Sequence, residues 1–429
     1  MSERTITVNA LARVEGEGAL HVRLRGDDVE IVEFRIFEPP RFFEGLLQGR
    51  EATEAPDITS RICGICPVAY ITSACQAVEQ AWGTDIPPEI AALRRLIYCG
   101  EWIQSHVLHA AMLHAPDYLG LRDIIEISEV EPELVTTALR LKKLGNDIME
   151  VIGGRAVHPV NTRVGGFFRA PDRAAISALL PELEWGIGAA RTLALRFAEF
   201  DFPDDRGDYT FVAMVHPQVY PIEAGRIGSS RGLDIPVSDF HDHFTEEQVV
   251  RSTALHGRMR DGAAYLVGPL ARYALNRDHL GPTVLKTAQD CGVAEVECNP
   301  FRSILVRMLE VQYACEEALR LAGAYVPPDP PAAEVHPRAG IGQGCTEAPR
   351  GICHHRYRID AKGRIVSATI VPPTSQNQPQ IEADLKRVIR ASRGLDDTAL
   401  RLRCEQVIRN HDPCISCATH FLDLSVDRG

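Results

Sequence analysis

Two pairs of cysteines share the spacing Cys-x-x-Cys and lie far apart in the chain. Cys63 and Cys66 belong to the segment RICGICPVAY, whereas Cys414 and Cys417 belong to DPCISCATH. Thiolates favour soft or borderline transition metals, and four of them suffice for one metal centre. The two pairs therefore predict a single four-thiolate site, although more than three hundred positions separate them.

A structural zinc site with four cysteine ligands is the main alternative for two such pairs. Zinc ribbons usually carry their pairs some tens of residues apart, which disfavours that alternative here. Each pair also has a distinctive setting, with the pattern RxCGxC around Cys63 and DPCxxCxxH around Cys414. A thioredoxin-like dithiol is disfavoured as well, because neither pair lies in a recognisable βαβ unit.

Hydrophobic periodicity predicts the elements that must position these cysteines. Apolar and polar residues alternate over residues 6–37 with a turn at 26–28, which predicts a β-hairpin, and a second hairpin turns at 360–363. Long segments with helical periodicity are expected to pack as a bundle, and they cover residues 89–114, 131–152, 173–200 and 301–324.

These patterns predict an α+β fold, mainly α, in which N-terminal and C-terminal β-hairpin or sheet elements flank a central bundle of long helices. Both chain ends are expected to fold back against the helices, so that both Cys-x-x-Cys pairs converge on one buried site. We expect a single domain over residues 1–429. Its parts would be β-rich at 1–60, a helical core at 61–325, and β and loop structure at 338–429.

Composition and charge restrict the class of protein. The chain has 429 residues, of which 45% are apolar and 24% charged, and its net charge is −12. No block of like charge indicates nucleic acid or an anionic membrane surface as a partner. Neither a signal peptide nor a run of about 18 apolar residues is visible, so we predict a cytoplasmic protein. The twelve cysteines are then expected to be metal ligands and small buried residues rather than disulfides.

Further motifs follow one another along nearly the whole chain. With RICGIC and DPCISCATH they are RVEGEG (13–18), RFFEG (41–45), GGRAVHPVNTRVGG (153–166), GPLAR (268–272) and EAPRG (347–351). In this combination and order, the chain resembles the large, catalytic subunit of nickel–iron hydrogenases. It is most similar to the cytoplasmic, multi-subunit branch that exchanges electrons with NAD(P). The resemblance implies reversible, heterolytic cleavage of H2 into protons and electrons.

The resemblance also implies a nickel–iron centre on the four cysteines. Cys63 and Cys414 correspond to terminal nickel ligands, and Cys66 and Cys417 to ligands that bridge nickel to an iron carrying CO and cyanide. Such a centre has a charge of roughly −2, which is costly to bury without compensation. Arg350 of EAPRG corresponds to an arginine over the iron's ligands, and its guanidinium would offset part of that charge. Without the other motifs, a surface salt bridge would be the expected role of this arginine.

Two aspartates and one loop complete the implied surroundings of the iron. Asp117 and Asp412 correspond to carboxylates near Arg350, although Asp412 could instead be a plain helix N-cap. The segment IVPPTSQNQP corresponds to the loop beside the cyanides. There, Pro372, Pro373 or Thr374 would supply apolar walls and a hydrogen-bond donor.

Proton transfer and a second metal are implied by three further residues. Cys414 corresponds to the first proton acceptor and Glu15 of RVEGEG to the next, since a carboxylate in reach of a thiolate can act as a general base. By itself, Glu15 could be an exposed residue at the end of a strand. Glu44 and His420 correspond to ligands of a magnesium ion, completed by a backbone carbonyl near residues 369–371.

Two features depart from the family pattern. Tyr70 stands four residues after Cys66, where many relatives have histidine. Residues 421–429 follow His420 and correspond to an extension that a dedicated maturation protease removes after chaperones have inserted the metals. A chain that keeps this extension would correspond to the unprocessed precursor.

Several cofactor motifs are missing from the chain. No GxGxxG follows a predicted strand, no Walker-type loop occurs, and no cysteine run marks an iron–sulfur cluster. Electrons are therefore expected to leave through an iron–sulfur small subunit and diaphorase-type subunits that carry flavin and NAD(P). An H2-sensing relative with the same ligands and a structural zinc protein remain as alternatives. The quinone-linked respiratory homologues of this fold lack the four cysteines and are disfavoured.

Overall fold

The structure is a computed structural model that describes residues 3–26 and 28–420. Its α-helices are α1 (Phe43–Leu47), α2 (Ala55–Ser60), α3 (Pro67–Trp82), α4 (Pro88–Val107), α5 (Ala115–Leu119), α6 (Ile124–Val130), α7 (Pro132–Gly153), α8 (Arg173–Ser177), α9 (Leu180–Ala198), α10 (Phe240–His243), α11 (Pro269–Asn276), α12 (Pro282–Asp290), α13 (Ser303–Gly323), α14 (Pro373–Ala391), α15 (Asp397–Asn410) and α16 (Ile415–Ala418). Its strands are β1 (Glu3–Val8), β2 (Gly18–Arg25), β3 (Asp28–Ile36), β4 (Thr162–Arg163), β5 (Gly166–Phe167), β6 (Val212–Val215), β7 (Arg226–Ser229), β8 (Asp234–Ile235), β9 (Phe244–Gln248), β10 (Leu255–Met259), β11 (Gly340–Ala348), β12 (Gly351–Ile359) and β13 (Ile365–Val371).

Helix α4 is the axis of the helical centre. It packs against α3, α7 and α13, and α13 packs in turn against α9. Nearly every residue in the second half of α4 is buried, including Trp102 and the carboxylate-bearing Glu101. A π-helical segment, Leu108–His114, continues α4 towards α5. Such segments often occur at functional sites because they re-aim side chains on a helix.

The C-terminal sheet lies directly on α3. Its strands pair antiparallel in the order β11-β12-β13. A Cβ atom at Gly344 of β11 would lie 2.1 Å from the carbonyl oxygen of Ser73, and one at Gly342 would lie 1.9 Å from that of Ala77. Only glycine allows the strand to approach the helix backbone so closely. This contact fixes α3, which begins immediately after Cys66, against the C-terminal part of the chain.

The N-terminal sheet packs against the last helices of the chain. Strands β1, β2 and β3 are antiparallel, and their apolar residues form one cluster with α14, α15 and α16. Phe34, Leu385 and Ile415 belong to this cluster and are buried completely. The loop between β1 and β2, which carries Glu15, is thereby held beside α16.

The predicted α+β fold is confirmed, and so are both hairpins, as β2–β3 and β12–β13. The hairpins belong to separate sheets. Residues 173–200 form two helices, because Pro181 starts α9 in its first turn and cannot continue a preceding helix.

The segment between α9 and α11 differs from the predicted helical core. It contains the sheet β6–β7–β8 and the hairpin β9–β10. Prolines and glycines recur through residues 216–236, which favours short strands and turns over a long helix. The division of the chain at residues 60, 325 and 338 stays a prediction, and residues 421–429, with the predicted cleavable extension, lie outside the described residues.

Two further properties concern the whole described chain. Across residues 3–26 and 28–420, none of the helices combines the length and the apolar character that crossing a bilayer requires. All twelve cysteines have free thiols, and nearly all of them are buried.

Candidate metal centre

The two Cys-x-x-Cys pairs meet in one buried cluster, as predicted. The Sγ atoms of Cys63, Cys66, Cys414 and Cys417 all lie within 4.8 Å of one another. Sγ of Cys63 is 3.3 Å from that of Cys414, and Sγ of Cys66 is 3.5 Å from that of Cys417. None of the four residues is more than 3% exposed. The cluster therefore presents soft sulfur donors from both ends of the chain to one enclosed point.

The first pair lies in the turn between α2 and α3. Sγ of Cys63 accepts hydrogen bonds from the amides of Ile65 (3.3 Å) and Cys66 (3.4 Å). Immediately afterwards, Glu101 of α4 accepts the amides of Val68 (2.6 Å) and Ala69 (3.1 Å) at the start of α3. A carboxylate here satisfies two unpaired helix amides and complements the helix dipole. Glu101 thus fixes the turn that carries the first pair. No sequence motif around Glu101 indicates this role.

The second pair is held by two segments from other parts of the chain. The amide of Cys414 donates to Oγ1 of Thr374 at the start of α14 (3.0 Å). The amide of Ile415 donates to the carbonyl of Glu15 (3.0 Å), and the amide of Ser416 donates to the carboxylate of the same residue (3.0 Å). Since Thr374 accepts this bond through its oxygen, its hydroxyl proton remains available for a further hydrogen bond.

Arg41 joins the two pairs. Its Nη2 donates to the carbonyl of Ile62, directly before the first pair, at 2.7 Å, and also to the carbonyl of Ser416, inside the second. The amide of Arg41 donates to the carbonyl of Thr419 (2.9 Å), which ties the segment RFFEG to α16 a second time. Arg41 belongs to the motif RFFEG, but only the structure shows that its guanidinium acts as a clamp between the segments that carry the two pairs.

Arg350 is buried beside the sulfur cluster. Its Nε donates to the carbonyl oxygen of Asp412 (2.9 Å), its Nη2 to Oδ1 of the same residue (3.0 Å), and its Nη1 to Oγ of Ser105 (3.2 Å). Burial alone would lower the pKa of Arg350, but the carboxylate of Asp412 and the neighbouring thiols raise it well above its ordinary value. A permanent positive charge therefore lies next to the sulfur cluster, and Asp412 pairs with it instead of capping a helix through its side chain.

The two predicted aspartates have different positions. Asp412 contacts Arg350, whereas Asp117 is bound by Arg13 (2.5 Å) and by Arg409 (2.7 Å). The described hydrogen bonds of Arg350 go to Asp412 and to the hydroxyl of Ser105. Asp117 follows the π-helical segment, and its described ion pairs are with Arg13 and Arg409.

A second buried arginine holds the turn that carries Arg350. Arg272 of the motif GPLAR makes a bidentate pair with Glu310 (2.7 Å for both bonds) and donates to the carboxylate of Glu347 (2.9 Å). It also donates to the carbonyls of Ala348 (2.9 Å) and Pro349 (2.8 Å), the two residues directly before Arg350. The motifs GPLAR and EAPRG therefore form one unit, in which one arginine fixes the backbone of the other.

Glu15 lies between the second pair and solvent. Its Oε2 accepts a hydrogen bond from Sγ of Cys414 at 3.2 Å, and a short parallel bridge joins the two backbones. Burial and the nearby thiol of Cys63 raise the pKa of the Glu15 carboxyl above its ordinary value. Glu15 is thus a protonatable group in contact with one of the four sulfurs, not an exposed residue at a strand end, while Glu17 is exposed.

Glu44 and His420 lie together beside β13. Oε1 of Glu44 accepts the amide of Ile370 (2.7 Å), Nε2 of His420 lies 2.6 Å from the carbonyl oxygen of Ile370, and 3.6 Å separates this nitrogen from Glu44. Carboxylate, carbonyl and imidazole groups converge here, with the carbonyl inside the expected range 369–371. Burial would lower the pKa of His420, but the carboxylate of Glu44 raises it.

The donor set fits a nickel–iron centre. It offers four free thiols, which soft and borderline metals favour, and a fixed guanidinium that offsets the negative charge of such a group. Within residues 3–26 and 28–420, these four cysteines form the group whose ligand atoms lie close enough together to hold one metal ion. Fold and site thus define a metalloprotein whose soft-metal centre joins two distant segments of one chain.

Comparison with known proteins identifies the family. The family model of nickel-dependent hydrogenases matches residues 41–137. Sulfhydrogenase 1 subunit alpha of Pyrococcus furiosus is 32% identical over 98% of this chain and 98% of its own. NAD-reducing hydrogenase HoxS subunit beta of Cupriavidus necator is 25% identical over 98% of this chain and 95% of its own.

A solved structure gives the same result for the fold. A chain of an NAD+-reducing NiFe hydrogenase in the H2-reduced state has a TM-score of 0.88 and 25% identity, over 97% of this chain and 99% of that one. This chain belongs to the nickel-dependent hydrogenase family. The resemblance to a nickel–iron hydrogenase large subunit, drawn from the motifs, is therefore confirmed.

Proposed function

We propose that this chain is the H2-activating subunit of a multi-subunit nickel–iron hydrogenase that exchanges electrons with NAD(P) through its partners. The observation that carries the proposal is the meeting of four free thiols from both chain ends beside a buried arginine and a protonatable carboxyl. A structural zinc site needs the thiols alone and gives no role to Arg350 or Glu15. NAD(P) is proposed because two of the similar proteins are NAD-reducing hydrogenases.

The four cysteines would hold the metals, with Cys63 and Cys414 as terminal nickel ligands and Cys66 and Cys417 as bridging ligands to iron. When bound, a nickel–iron centre with CO and cyanide ligands supplies heterolytic cleavage of H2. The thiols converge without a disulfide, so their sulfurs are available as ligands. Metal binding requires their deprotonation, and the adjacent guanidinium of Arg350 favours the thiolate form.

Arg350, Asp412, Thr374 and Pro372 would form the wall of the site on the iron side. Arg350 supplies charge and N–H donors, and Asp412 holds its guanidinium in one orientation through two hydrogen bonds. Thr374 lies at the start of α14 next to Cys414 and retains its hydroxyl proton as a donor. Pro372 precedes α14 and contributes an apolar surface without an N–H group. Asp117 would act indirectly, because its ion pairs hold the side chains of Arg13 and Arg409 in place.

Proton release would begin at Cys414. Its sulfur lies 3.2 Å from the carboxylate of Glu15, so a proton on the thiol can pass directly to that oxygen. Burial raises the pKa of the Glu15 carboxyl above its ordinary value, which makes this group a better proton acceptor. Glu44, His420 and the carbonyl of Ile370 would hold a partly hydrated magnesium ion, which prefers oxygen ligands and few protein groups.

The partners follow from what the chain does not carry. We propose an iron–sulfur small subunit as the first electron acceptor and diaphorase-type subunits with flavin as the link to NAD(P). A maturation protease acting on residues 421–429 and chaperones for metal insertion complete the set. The complex is proposed to be cytoplasmic.

The decisive experiment is purification of the chain with its co-expressed partners. We expect nickel and iron by elemental analysis, CO and cyanide stretches in the infrared spectrum, and rapid H2-dependent reduction of both a redox dye and NAD+ or NADP+. Zinc without nickel, together with an absence of those stretches, would overturn the proposal. Slow dye reduction by a fully loaded complex would indicate a sensor instead.

A further inference from the structure

Arg307 is a buried arginine near the start of α13, and only 2% of its surface is exposed. Its Nη1 donates to Oγ of Ser303 (2.8 Å), and its Nη2 donates to the carbonyl oxygen of Asn410 (3.0 Å). Oγ of Ser303 donates to the same carbonyl (2.9 Å). A neutral donor therefore already satisfies this carbonyl, so hydrogen bonding alone does not explain why a charged group is buried here.

Arg307 differs from the other buried arginines in its partners. Within residues 3–26 and 28–420, it forms no ion pair with a carboxylate, and its hydrogen bonds go to neutral oxygens. The other arginines of similar burial each form such an ion pair; they are Arg94, Arg95, Arg272, Arg350 and Arg409. Burying a charge without a partner is costly, so the positive charge of Arg307 requires a function beyond packing.

The charge of Arg307 acts on the wall of the metal site. Asn410, which it binds, lies two residues before Asp412, and Oδ1 of Asp412 accepts a hydrogen bond from Arg350 (3.0 Å). Burial lowers the pKa of Arg307 to about 10, the carboxylate of Asp412 counteracts this shift, and the guanidinium of Arg350 adds to it. Arg307 is thus a cation at neutral pH. Within the described part of the chain, its Nε and Oδ2 of Asp412 are both buried without a hydrogen-bond partner.

We propose that Arg307 is a positioning residue that shares the charge of Asp412 with Arg350, so that one net positive charge remains beside the sulfur cluster. The inference rests on the proposed function, because it assigns this charge to the nickel–iron centre. Arg350 and Asp412 alone form a neutral pair, which offsets little of the charge of roughly −2 on such a centre. Arg272 is already engaged in its bidentate pair with Glu310. A net positive charge nearby stabilises the reduced metals and raises their reduction potential.

Arg307→Gln in the complete complex tests this role, because it removes the charge while Ser303 still satisfies the carbonyl of Asn410. The midpoint potential of the centre should become more negative, and the CO and cyanide stretches should shift to lower wavenumber. Arg307→Lys keeps the charge and should restore both quantities. Arg94→Gln is the matched control, since Arg94 is similarly buried but paired with Glu79 (2.6 Å), and its bands should be unaltered. An unaltered potential in Arg307→Gln, or an equal shift in Arg307→Lys, would overturn the inference.

Thermal unfolding of the metal-free, full-length chain decides the case if Arg307→Gln does not assemble the centre. This variant should unfold at no lower temperature than the unaltered chain, since the desolvation cost of an unpaired charge is removed. Arg94→Gln should unfold at a lower temperature, because it leaves Glu79 buried without its cation. An equal loss of stability in both variants would make Arg307 a structural residue and overturn the inference. A complex without CO and cyanide bands even before substitution would instead overturn the proposed function.

Discussion

Among the four sulfurs, that of Cys414 has a direct route for proton release. It contacts the carboxyl of Glu15, whose pKa is raised by burial. A thiol becomes more acidic when it binds a metal, so this contact joins a proton donor to a proton acceptor. The backbone of Glu15 is bonded to the same helix start, so the distance between the two groups is fixed by main-chain hydrogen bonds. Such fixed geometry is what efficient proton transfer requires.

Glu15→Gln tests this proton route. Glutamine can still accept the amide of Ser416, so nickel and iron content should stay unaltered, but an amide cannot take up the proton. We expect H2/D2 exchange to fall by about 100-fold or more. Glu17→Gln, at an exposed position two residues away, should exchange at the unaltered rate. Unaltered exchange in Glu15→Gln would remove this residue from the proton route.

Individual contacts divide into those that the sequence predicts and those it does not. The cysteines, Arg350 and Glu15 lie in motifs whose residue types carry the chemistry. Ser105 could not be foreseen, because a serine within a helix has no signal until the arginine that binds it is placed in space. Glu101 is similar: it lies more than thirty positions from the amides that it caps.

At the scale of elements, the site depends on how turns are held rather than on the helices alone. Arg272 uses all its donor directions on Glu310, Glu347 and the carbonyls before Arg350. A Cβ atom on Gly268, at the start of α11, would lie 2.7 Å from the carbonyl oxygen of Arg350, so this helix start touches the same turn. The orientation of Arg350 is therefore set by a neighbouring element.

Arg272→Lys, combined with Arg350→Lys in a double-mutant cycle, tests this coupling. Lysine keeps the charge of Arg272 but cannot hold two carboxylates and two carbonyls, and we expect a loss of about 1–3 kcal/mol in unfolding free energy. If Arg272 acts through Arg350, the effects on kcat/KM should be non-additive by about 0.5–3 kcal/mol. Arg94→Lys is the control, since Arg94 forms an equally buried pair with Glu79 elsewhere in the core. It should lose stability without coupling to Arg350, and additive effects for Arg272 would contradict the prediction.

Arg41→Ala tests the clamp between the two cysteine segments. The carbonyls of Ile62 and Ser416 would lose a shared donor, at a cost of about 1–3 kcal/mol. Because both carbonyls belong to the turns that carry the ligands, we expect nickel and iron content to fall together with the melting temperature. Arg122→Ala, which removes an exposed pair with Glu126, should change neither quantity measurably. A fully loaded Arg41→Ala complex would show that the turns hold their positions without the clamp.

The sequence predicts elements with a strong hydrophobic periodicity well. It does not predict elements that are too short to show such a periodicity. The long helices α4, α7 and α13 and both hairpins follow from spacing, because their buried faces repeat regularly. The sheet β6–β8 was missed, since its strands are two to four residues long and carry no readable alternation. The glycines of β11 belong to no recognisable sequence motif, and their packing against the backbone of α3 explains them.

For the whole molecule, the metal centre would act as a cross-link between distant parts of the chain. Cys66 and Cys417 are 351 positions apart. Closing a loop of this length reduces the entropy of the unfolded chain by an amount on the order of 6 kcal/mol in free energy. Loaded and unloaded forms should therefore differ in stability much more than in secondary structure.

Cys414→Ser tests this cross-link. Oxygen is a poor substitute for a thiolate as a ligand of soft metals, so we expect loss of nickel and of H2 oxidation with an unchanged circular dichroism spectrum. The melting temperature should fall by about 5–10 °C relative to the loaded form. Cys75→Ser provides the control, because Cys75 is a buried thiol of α3 outside the cluster. A loaded, active Cys414→Ser complex would contradict the assignment of the ligands.

The separation of the two pairs also has a consequence for the order of synthesis. At about 5–20 residues per second, a ribosome releases Cys63 and Cys66 roughly 17–70 s before Cys417 is made. During this interval the nascent chain displays two thiols that zinc or copper ions can occupy. Correct loading therefore depends on withholding metal until translation has delivered the other half of the site.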